Sequence, residues 1–454
     1  MSTQQENKPQ KEETTNKNIF EDVIEQYITQ LNSLVDSVPI VLNVLSSNAI
    51  MQIGKLDKFF NEQGLKDLNE ETTMQIPFEL YANFDRLNTN TKKAIETMRL
   101  YPCNIVVSFV SLYDAFLGNI IKAIYKTCPE KLKESKKEFT INDIILFDSI
   151  EDAKEFVIEK ESETVLRASH GEQLDWLKNK FGTTFKEFPN YNKFIEITER
   201  RNLFVHTNGV VSRQYISECK KVGVKDISKI KVGEKLIATP QYILECYNIL
   251  FEVGVKLGII VWRNILKKDK DADYYYNTVC YDLLKSGKYN LAKIMLDFAT
   301  NGFKSFATEE IRRIYIINKA LACYLAGDKK GCNLIIDKED WSASSVMFQL
   351  AVAVLKEDYK LAASKMESAK SDVDNVAYCE WPLFKDFRNT DEFKVEYQRL
   401  FGQGFEYTEP PKENIKDVLS FAMDFQNMLK DYAKKNNVED ELGFNFFDNE
   451  LATD

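Results

Sequence analysis

The chain has 454 residues, of which 44% are hydrophobic, and it carries a net charge of −10. This length is too great for one ordinary core and indicates about three packing units. The 30 phenylalanines and 21 tyrosines supply enough apolar material for such cores. The acidic balance argues against a protein that coats nucleic acid unspecifically. The composition therefore predicts a globular protein.

Neither a secretory signal nor a membrane span is expected. The residues after Met1 are polar and contain no apolar run, and the best candidate span, residues 249–262, is short and includes Glu252 and Lys256. The eight cysteines are scattered without a C-x-x-C pair, which argues against a disulfide framework and against a zinc site. We therefore expect a soluble, cytoplasmic protein without a metal or another cofactor.

The first part of the chain is expected to be a tail followed by helices. Residues 1–18 are polar and charged and predict a disordered tail. An N-terminal helical region is expected over residues 19–90. Apolar residues with helical spacing predict one helix from Ile19, which Pro39 breaks or kinks, and a second helix over residues 41–60.

A helical bundle is expected over residues 91–270. A long helix over residues 91–127 contains an acid, Asp114, within an apolar sequence. The last helix of the bundle is strongly apolar and contains the spacing Gly254-x-x-x-Gly258. We interpret these two glycines as positions where another helix packs closely, not as functional residues.

The C-terminal part of the sequence contains similar segments at a regular spacing. The similar segments 289–292 and 359–362 are 70 residues apart, about twice the 34-residue period of paired-helix repeats, and Ala326-Gly327-Asp328 interrupts the helical pattern between them. This pattern predicts three degenerate helix-turn-helix units within a TPR-like region over residues 271–408, with an irregular all-α domain as the alternative. A further amphipathic helix and an acidic tail are expected over residues 409–454.

The most unusual segment is Arg200-Arg-Asn-Leu-Phe-Val-His-Thr-Asn-Gly209. On a helical wheel Arg201 falls inside the apolar stripe of its helix, where a guanidinium needs a carboxylate, a phosphate or a backbone oxygen as partner. Asn202 and His206 are one helical turn apart, so the Asn202 amide is expected to hold the His206 ring. The turn at residues 207–209 is expected to end the helix.

The pattern Arg201-Asn202-x-x-x-His206, at the end of a helix and preceded by a long helix with an embedded acid, resembles the HEPN superfamily. Members carry Arg-x(4 to 6)-His, often with Asn after the Arg. Residues 199–209 are similar to the HEPN domains of bacterial defence and abortive-infection proteins. The resemblance covers about residues 95–266. It implies a helical bundle that dimerises so that two motifs face each other across a cleft, forming a metal-independent endoribonuclease.

By this resemblance Arg201 and His206 are the catalytic pair, and Asn202 and Asp114 support them. Cleavage of RNA through its own 2′-hydroxyl needs a proton acceptor near neutral pH and a cation at the phosphate, which histidine and arginine supply without a metal. The expected products carry a 2′,3′-cyclic phosphate and a 5′-hydroxyl. The basic residues expected to bind the RNA strand are Arg200, Arg213, Lys220 and Lys221.

The expected partners follow from the same resemblance and from the charge distribution. Residues 95–270 contain 28 Lys and Arg against 24 Asp and Glu, a local balance of +4 that is compatible with phosphate binding. RNA and a second copy of the chain are the expected partners, and a protein regulator or antitoxin is a further candidate. The expected setting is anti-phage defence or a toxin-like stress response.

Structural interpretations of the same residues stay open. His206 would then bond the last carbonyls of its helix, and Arg201 would pair with Asp114 or a nearby acid and only brace the bundle. His170 is interpreted as a surface or capping residue. A function of another class is a non-catalytic helical adaptor that binds a protein partner through the C-terminal repeats, as the aromatic residues from Tyr274 to Tyr407 suggest.

Overall fold

The computed structural model describes residues 18–64, 76–134, 147–182, 188–267 and 269–407. Within these ranges the predicted all-α fold is confirmed, and an antiparallel bridge between Val210 and Lys235 is the only β contact. The helices are α1 (Ile19–Glu62), α2 (Phe78–Thr127), α3 (Ile150–Leu166), α4 (His170–Phe181), α5 (Tyr191–His206), α6 (Arg213–Lys221), α7 (Pro240–Ile265), α8 (Asp271–Lys285), α9 (Tyr289–Gly302), α10 (Glu309–Leu325), α11 (Lys329–Ile336), α12 (Val346–Leu355), α13 (Tyr359–Met366), α14 (Asn375–Glu380) and α15 (Asp391–Phe401). Apart from Asn18, the predicted N-terminal tail lies outside the described residues, and so does the predicted C-terminal helix with its acidic tail.

The first two helices form a long antiparallel hairpin, in which the Thr91 hydroxyl of α2 donates to the backbone oxygen of Gln52 in α1 at 3.2 Å. Pro39 lies inside α1 and does not end it. A proline removes only one backbone donor from a helix, and α1 continues past it. Two positions before the proline, the Ser37 hydroxyl donates to the backbone oxygen of Leu34 at 2.7 Å. The predicted division into two helices at Pro39 is therefore wrong.

The second helix continues across residue 90, where we expected a boundary between an N-terminal region and the bundle. Leu87, Thr91 and Ala94 are buried with helical spacing through this polar part of the sequence, so the helix has no cause to end there. Buried residues from Phe20 in α1 to Tyr397 in α15 belong to one hydrophobic cluster. The first part of region 19–90 therefore belongs to the core of the bundle, whereas Leu56, Phe59 and Leu87 form a small core of their own between α1 and α2.

The central helix of the bundle is α7, which has buried residues on all sides. A Cβ added at Gly254 would overlap the Tyr27 ring of α1, and one added at Gly258 would lie 2.7 Å from Cγ1 of Ile24. The Tyr27 hydroxyl also donates to the backbone oxygen of Leu250 at 2.8 Å. The two glycines thus permit close helix packing, as their spacing predicted.

Three helix-turn-helix units follow the bundle: α8 with α9, α10 with α11, and α12 with α13. Each turn has three residues, and the middle one has a positive φ of 77° at Gly287, 87° at Gly327 and 60° at Glu357. The next residue of each turn donates its backbone N–H to a carbonyl five positions earlier at 2.8 to 2.9 Å. The three expected helix pairs are present, and their description as TPR-like stays a prediction.

Buried polar contacts fix the junction between the bundle and the first of these units. The Trp262 indole of α7 donates to the Asp269 carboxylate at 2.8 Å. Also in α7, Lys256 forms a buried ion pair with Glu252 at 2.5 Å, and its ammonium lies 5.2 Å from the ring centre of Phe298 in α9. The interior therefore continues from the bundle into the C-terminal helices.

Two helices, α1 and α2, are long and apolar enough to cross a membrane when length and composition alone are considered. Their most apolar 18-residue windows each have a mean hydropathy of 1.5, and 33% and 56% of these windows are buried inside the protein. Core helices of soluble proteins have the same properties, so this finding is weak support for a membrane span. The cytoplasmic location stays a prediction.

Candidate functional site

The orientation of α5, which carries the predicted catalytic residues, is fixed by a buried network around Glu196. One Glu196 carboxylate oxygen accepts hydrogen bonds from Nε of Arg200 and from the Tyr215 hydroxyl, both at 2.7 Å. The other oxygen accepts one from the Tyr242 hydroxyl at 2.8 Å. These bonds join α5 to α6 and α7, and they leave the Arg201 side of α5 directed towards α2.

This network includes one of the predicted RNA-binding residues. The Arg200 side chain is 11% exposed, and its guanidinium carbon lies 4.0 Å from the ring centre of Tyr242. A guanidinium that is buried and paired in this way does not reach a polynucleotide at the surface. The prediction of Arg200 as an RNA-binding residue is therefore wrong, because the residue stabilises the packing of three helices.

The next residue, Arg201, is bonded to the predicted supporting acid. Nη2 of Arg201 donates to Oδ2 of Asp114 at 3.0 Å, and the other oxygen of Asp114 lies 2.9 Å from Nε2 of His170. Because an ionised carboxylate only accepts, the hydrogen of a neutral His170 ring is assigned to Nε2. The side chains of Arg201 and Asp114 are 20% and 29% exposed, whereas that of His170 is 8% exposed. Asp114 therefore connects a surface arginine to a buried histidine.

The position of His170 differs from the expected surface or capping role. The cap is Ser169, which forms a capping box with Glu172, and His170 is the first helical residue after it. Its ring turns inward and lies 6.0 Å from the Tyr113 ring and 5.9 Å from the Phe194 ring. The contact with the acid joins residues 56 positions apart, so no local sequence pattern indicates it.

One donor of the arginine is unsatisfied. Nε of Arg201 is buried and has no hydrogen-bond acceptor among the described residues. A buried donor without an acceptor costs about 1 to 3 kcal/mol, and a two-bond pair with a carboxylate would avoid that cost. Here the second oxygen of Asp114 faces His170 instead. Arg201 is thus held by one hydrogen bond to Asp114, and its side chain is 20% exposed.

A second carboxyl group, Glu199, lies beside Arg201 and is 8% exposed. Burial raises the pKa of Glu199, the nearby Glu218 carboxylate raises it further, and neighbouring polar and cationic groups lower it. The Asn202 side chain is among the groups that lower this pKa. No hydrogen bond between the Asn202 amide and the His206 ring is present among the described residues, so the expected contact is not observed.

The predicted turn ends α5 directly after His206. The backbone N–H groups of Thr207 and Gly209 donate to the oxygen of Leu203 at 2.9 and 3.0 Å. Asn208 and Gly209 have positive φ values of 52° and 84°. A Cβ at Gly209 would also overlap the backbone oxygen of Leu236, so only glycine fits at this position. The turn leaves His206 exposed at the end of the helix.

The two predicted catalytic residues leave α5 in different directions. His206 follows Arg201 by five positions, which corresponds to about 7.5 Å along the helix axis and about 140° around it. Arg201 faces α2 through its bond to Asp114, whereas His206 is exposed beyond the last turn. The two side chains therefore start from different faces of α5, with His206 exposed and the Arg201 side chain 20% exposed.

Residues 213–235, named here the basic lobe, lie next to the end of α5. The lobe contains seven Lys and Arg against three Asp and Glu, a difference of +4 in a chain whose net charge is −10. A small core that includes Leu203, Tyr215 and Cys219 holds it against α5. Three predicted RNA-binding residues are exposed in the lobe: Arg213, Lys220 and Lys221, of which Lys221 pairs with Glu218 at 2.6 Å.

Comparison with known proteins gives no further information about this site. No family model, curated protein or solved structure matches the chain. Among the described residues, no group of three or more His, Cys, Asp or Glu side chains is placed to hold a metal ion. The functional interpretation therefore rests on the geometry around Arg201 and on the resemblance of its motif.

Proposed function

We propose that the chain is a metal-independent endoribonuclease of HEPN type, which cuts RNA by attack of a 2′-hydroxyl on the adjacent phosphate. The observation that supports this proposal most is the attachment of Arg201 to Asp114 by a single hydrogen bond at the bundle surface. A guanidinium with donors left over binds a phosphate well, because its planar array of N–H groups matches the phosphate oxygens.

In this proposal His206 accepts the proton of the 2′-hydroxyl, because a histidine is the side chain best suited to that role near neutral pH. The 2′-oxygen forms a bond to phosphorus, and the bond from phosphorus to the 5′-oxygen breaks. The 5′-oxygen takes up a proton from the imidazolium or from water. Arg201 stabilises the charge that gathers on the phosphate oxygens.

RNA and a second copy of the chain are the proposed partners. The divergence of Arg201 and His206 on α5 favours a groove between two copies, in which Arg201 of one copy and His206 of the other contact the same phosphodiester. The basic lobe, with Arg213 and Lys220 exposed, flanks that groove. A role in anti-phage defence or a toxin-like stress response, restrained by a protein regulator or antitoxin, rests on the resemblance of the motif alone.

The test is cleavage of an end-labelled RNA by the purified full-length protein in the presence of a chelator. We expect products with 2′,3′-cyclic phosphate ends, and no cleavage where the nucleotide before the scissile bond is 2′-deoxy. Arg201→Ala and His206→Ala should each lower the cleavage rate by about a hundredfold or more, the usual contribution of such groups.

The matched control is Arg167→Ala, because the Arg167 side chain is 83% exposed and pairs only loosely with Glu163 at 3.7 Å. This variant should cut at the wild-type rate. Wild-type rates for both the Arg201 and His206 variants would exclude this mechanism, and so would cleavage at a 2′-deoxy position.

The structure does not strengthen the adaptor alternative. The large aromatic residues of the C-terminal units, such as Tyr276, Tyr315, Tyr378 and Phe384, are fully buried and contact one another or neighbouring rings. These rings therefore belong to the interior, whereas Tyr274 and Tyr407 are exposed. We propose only the nuclease.

A further inference from the structure

We infer that His170 is a positioning residue, which keeps Arg201 available to a phosphate by occupying one oxygen of Asp114. The identity of the anion rests on the proposed function. The geometric part concerns only the relation of Asp114 to His170 and Arg201, and it can be tested without any nuclease activity.

The arginine and the acid share fewer hydrogen bonds than they could. A guanidinium and a carboxylate often form two parallel hydrogen bonds. Here Arg201 forms one, through Nη2 to Oδ2 of Asp114, while Oδ1 lies 2.9 Å from Nε2 of His170. The histidine therefore takes the oxygen that the second bond would need.

Nε of Arg201 is buried and unsatisfied among the described residues. A carboxylate bonded to both Nε and Nη2 would satisfy this buried donor, and Asp114 already contacts Nη2. A pair with both Nε and Nη2 would need Oδ1 of Asp114, which would then have to leave its contact with His170. The observed geometry keeps the histidine contact and leaves the arginine donor unpaired.

His170 is itself held in place by its helix and by neighbouring rings. Its backbone begins α4 directly after the capping box of Ser169 and Glu172, and its ring packs edge-on against Phe194 and beside Tyr113. The side chain is 8% exposed and so does not contact RNA. A fixed ring with one N–H directed at Asp114 determines which carboxylate oxygen is left for Arg201.

The consequence is a specific difference between two substitutions. His170→Phe keeps a packed ring but removes the N–H, so Asp114 should turn and bind Arg201 through two bonds, which withdraws the guanidinium from the phosphate. His170→Gln keeps an N–H donor near the position of Nε2, so Arg201 should stay available. His170→Leu serves in place of the Phe variant if that protein does not fold.

The experiment measures binding of a 2′-deoxy-substituted RNA, which cannot be cut, and cleavage of the matching RNA. We expect the Phe variant to bind and cut about tenfold less well, with the larger change in KM, since one charged hydrogen bond is lost. We expect the Gln variant to regain most of this loss. Equal losses in the two variants, or no loss in the Phe variant, would overturn the inference.

A second measurement does not depend on RNA. The coupling between Asp114→Asn and Arg201→Gln is determined from urea unfolding, in the wild-type background and in the His170→Phe background. The coupling should grow in the Phe background, because two bonds replace one, and an unchanged or smaller coupling would contradict the positioning role. A larger coupling in a protein that neither binds nor cuts RNA would retain the positioning role while the proposed nuclease fails.

Discussion

Two adjacent arginines of α5 have opposite environments. Consecutive residues of an α-helix point about 100° apart, so Arg200 turns into the space between α5 and α7 while Arg201 turns towards α2. The first meets Glu196 and the Tyr242 ring, and the second meets Asp114 near the surface. Side-chain direction therefore separates a structural arginine from a candidate catalytic one.

This difference leads to a prediction about stability. Arg200→Ala leaves the buried Glu196 carboxylate without its cation, which should lower the free energy of unfolding by about 3 kcal/mol. Lys220→Ala on the exposed side of the basic lobe should change it by less than about 0.5 kcal/mol. Urea unfolding followed by circular dichroism gives both values.

RNA binding should also respond to the Lys220 substitution. Lys220→Ala should weaken RNA binding and reduce its dependence on salt, because one phosphate contact is lost. Equal stability of the Arg200→Ala variant and the wild type would show that Arg200 is not part of the packing. A normal salt dependence in the Lys220→Ala variant would remove Lys220 from the RNA-binding surface.

The pairing of Arg201 with Asp114 could be predicted from the sequence, whereas the contact of His170 with Asp114 and the Glu196 network could not. The position of Arg201 in an apolar stripe predicted that it needs a partner, and Asp114 was one of the acids considered for that role. The inward direction of His170 depends on the packing of α4 against α2 and α5, which no local spacing encodes. The Glu196 network was also missed, because its members come from three helices.

At the scale of helices, two glycines provide a matched comparison. Gly254 lies in α7 against the Tyr27 ring, so Gly254→Ala must displace that ring and should cost about 1 to 3 kcal/mol of stability. Gly54 lies in the exposed face of α1 with no atom within 4 Å of an added Cβ. Gly54→Ala should therefore stabilise the protein by about 0.5 to 1 kcal/mol.

The measurement is the unfolding free energy of both variants under one set of conditions. Opposite signs are the expected result, because the same chemical change meets a ring at one site and solvent at the other. Destabilisation by Gly54→Ala, or tolerance of Gly254→Ala, would show that the packing of α1 against α7 differs from the one described.

Helix positions were more predictable than helix continuity. Apolar spacing located the helices, and Gly327 indicated where one of the helix pairs reverses. In the third pair Glu357 adopts the same positive φ without a glycine, so composition alone could not identify it. Pro39 had the opposite effect, since a residue that usually ends a helix is accommodated inside α1.

At the scale of the whole molecule, buried thiols and phenols should make the protein sensitive to alkali. Burial raises the pKa of the Cys219 and Cys332 thiols from 9.0 to about 12, and it raises the pKa of Tyr27 and Tyr276 well above 10.0. These groups keep their protons longer in the folded chain than in the unfolded chain. Their contribution to stability is complete below the unfolded values and is lost as pH rises towards the folded values.

We therefore expect the free energy of unfolding to fall from about pH 9 upward, by about 1.4 kcal/mol per pH unit for each group in its titration range. Lys235, Lys256 and Lys288 act in the opposite sense because burial lowers their pKa, but the buried phenols and thiols outnumber them. Urea midpoints between pH 7 and 11 test this expectation, and the full tyrosinate absorbance of the 21 phenols should develop only as helical circular dichroism is lost. Full tyrosinate absorbance in a fully helical protein would contradict it.

The shared interior has a practical consequence for dissecting this molecule. Because Lys256 of α7 is enclosed partly by Phe298 of α9, a chain cut between these helices would expose an ammonium, its Glu252 partner and the apolar surface around them to water. The segments before and after residue 270 are thus parts of one folded unit, and each needs the other to cover its apolar surface. Experimenters who wish to assign separate tasks to them gain more from point substitutions than from expressing fragments.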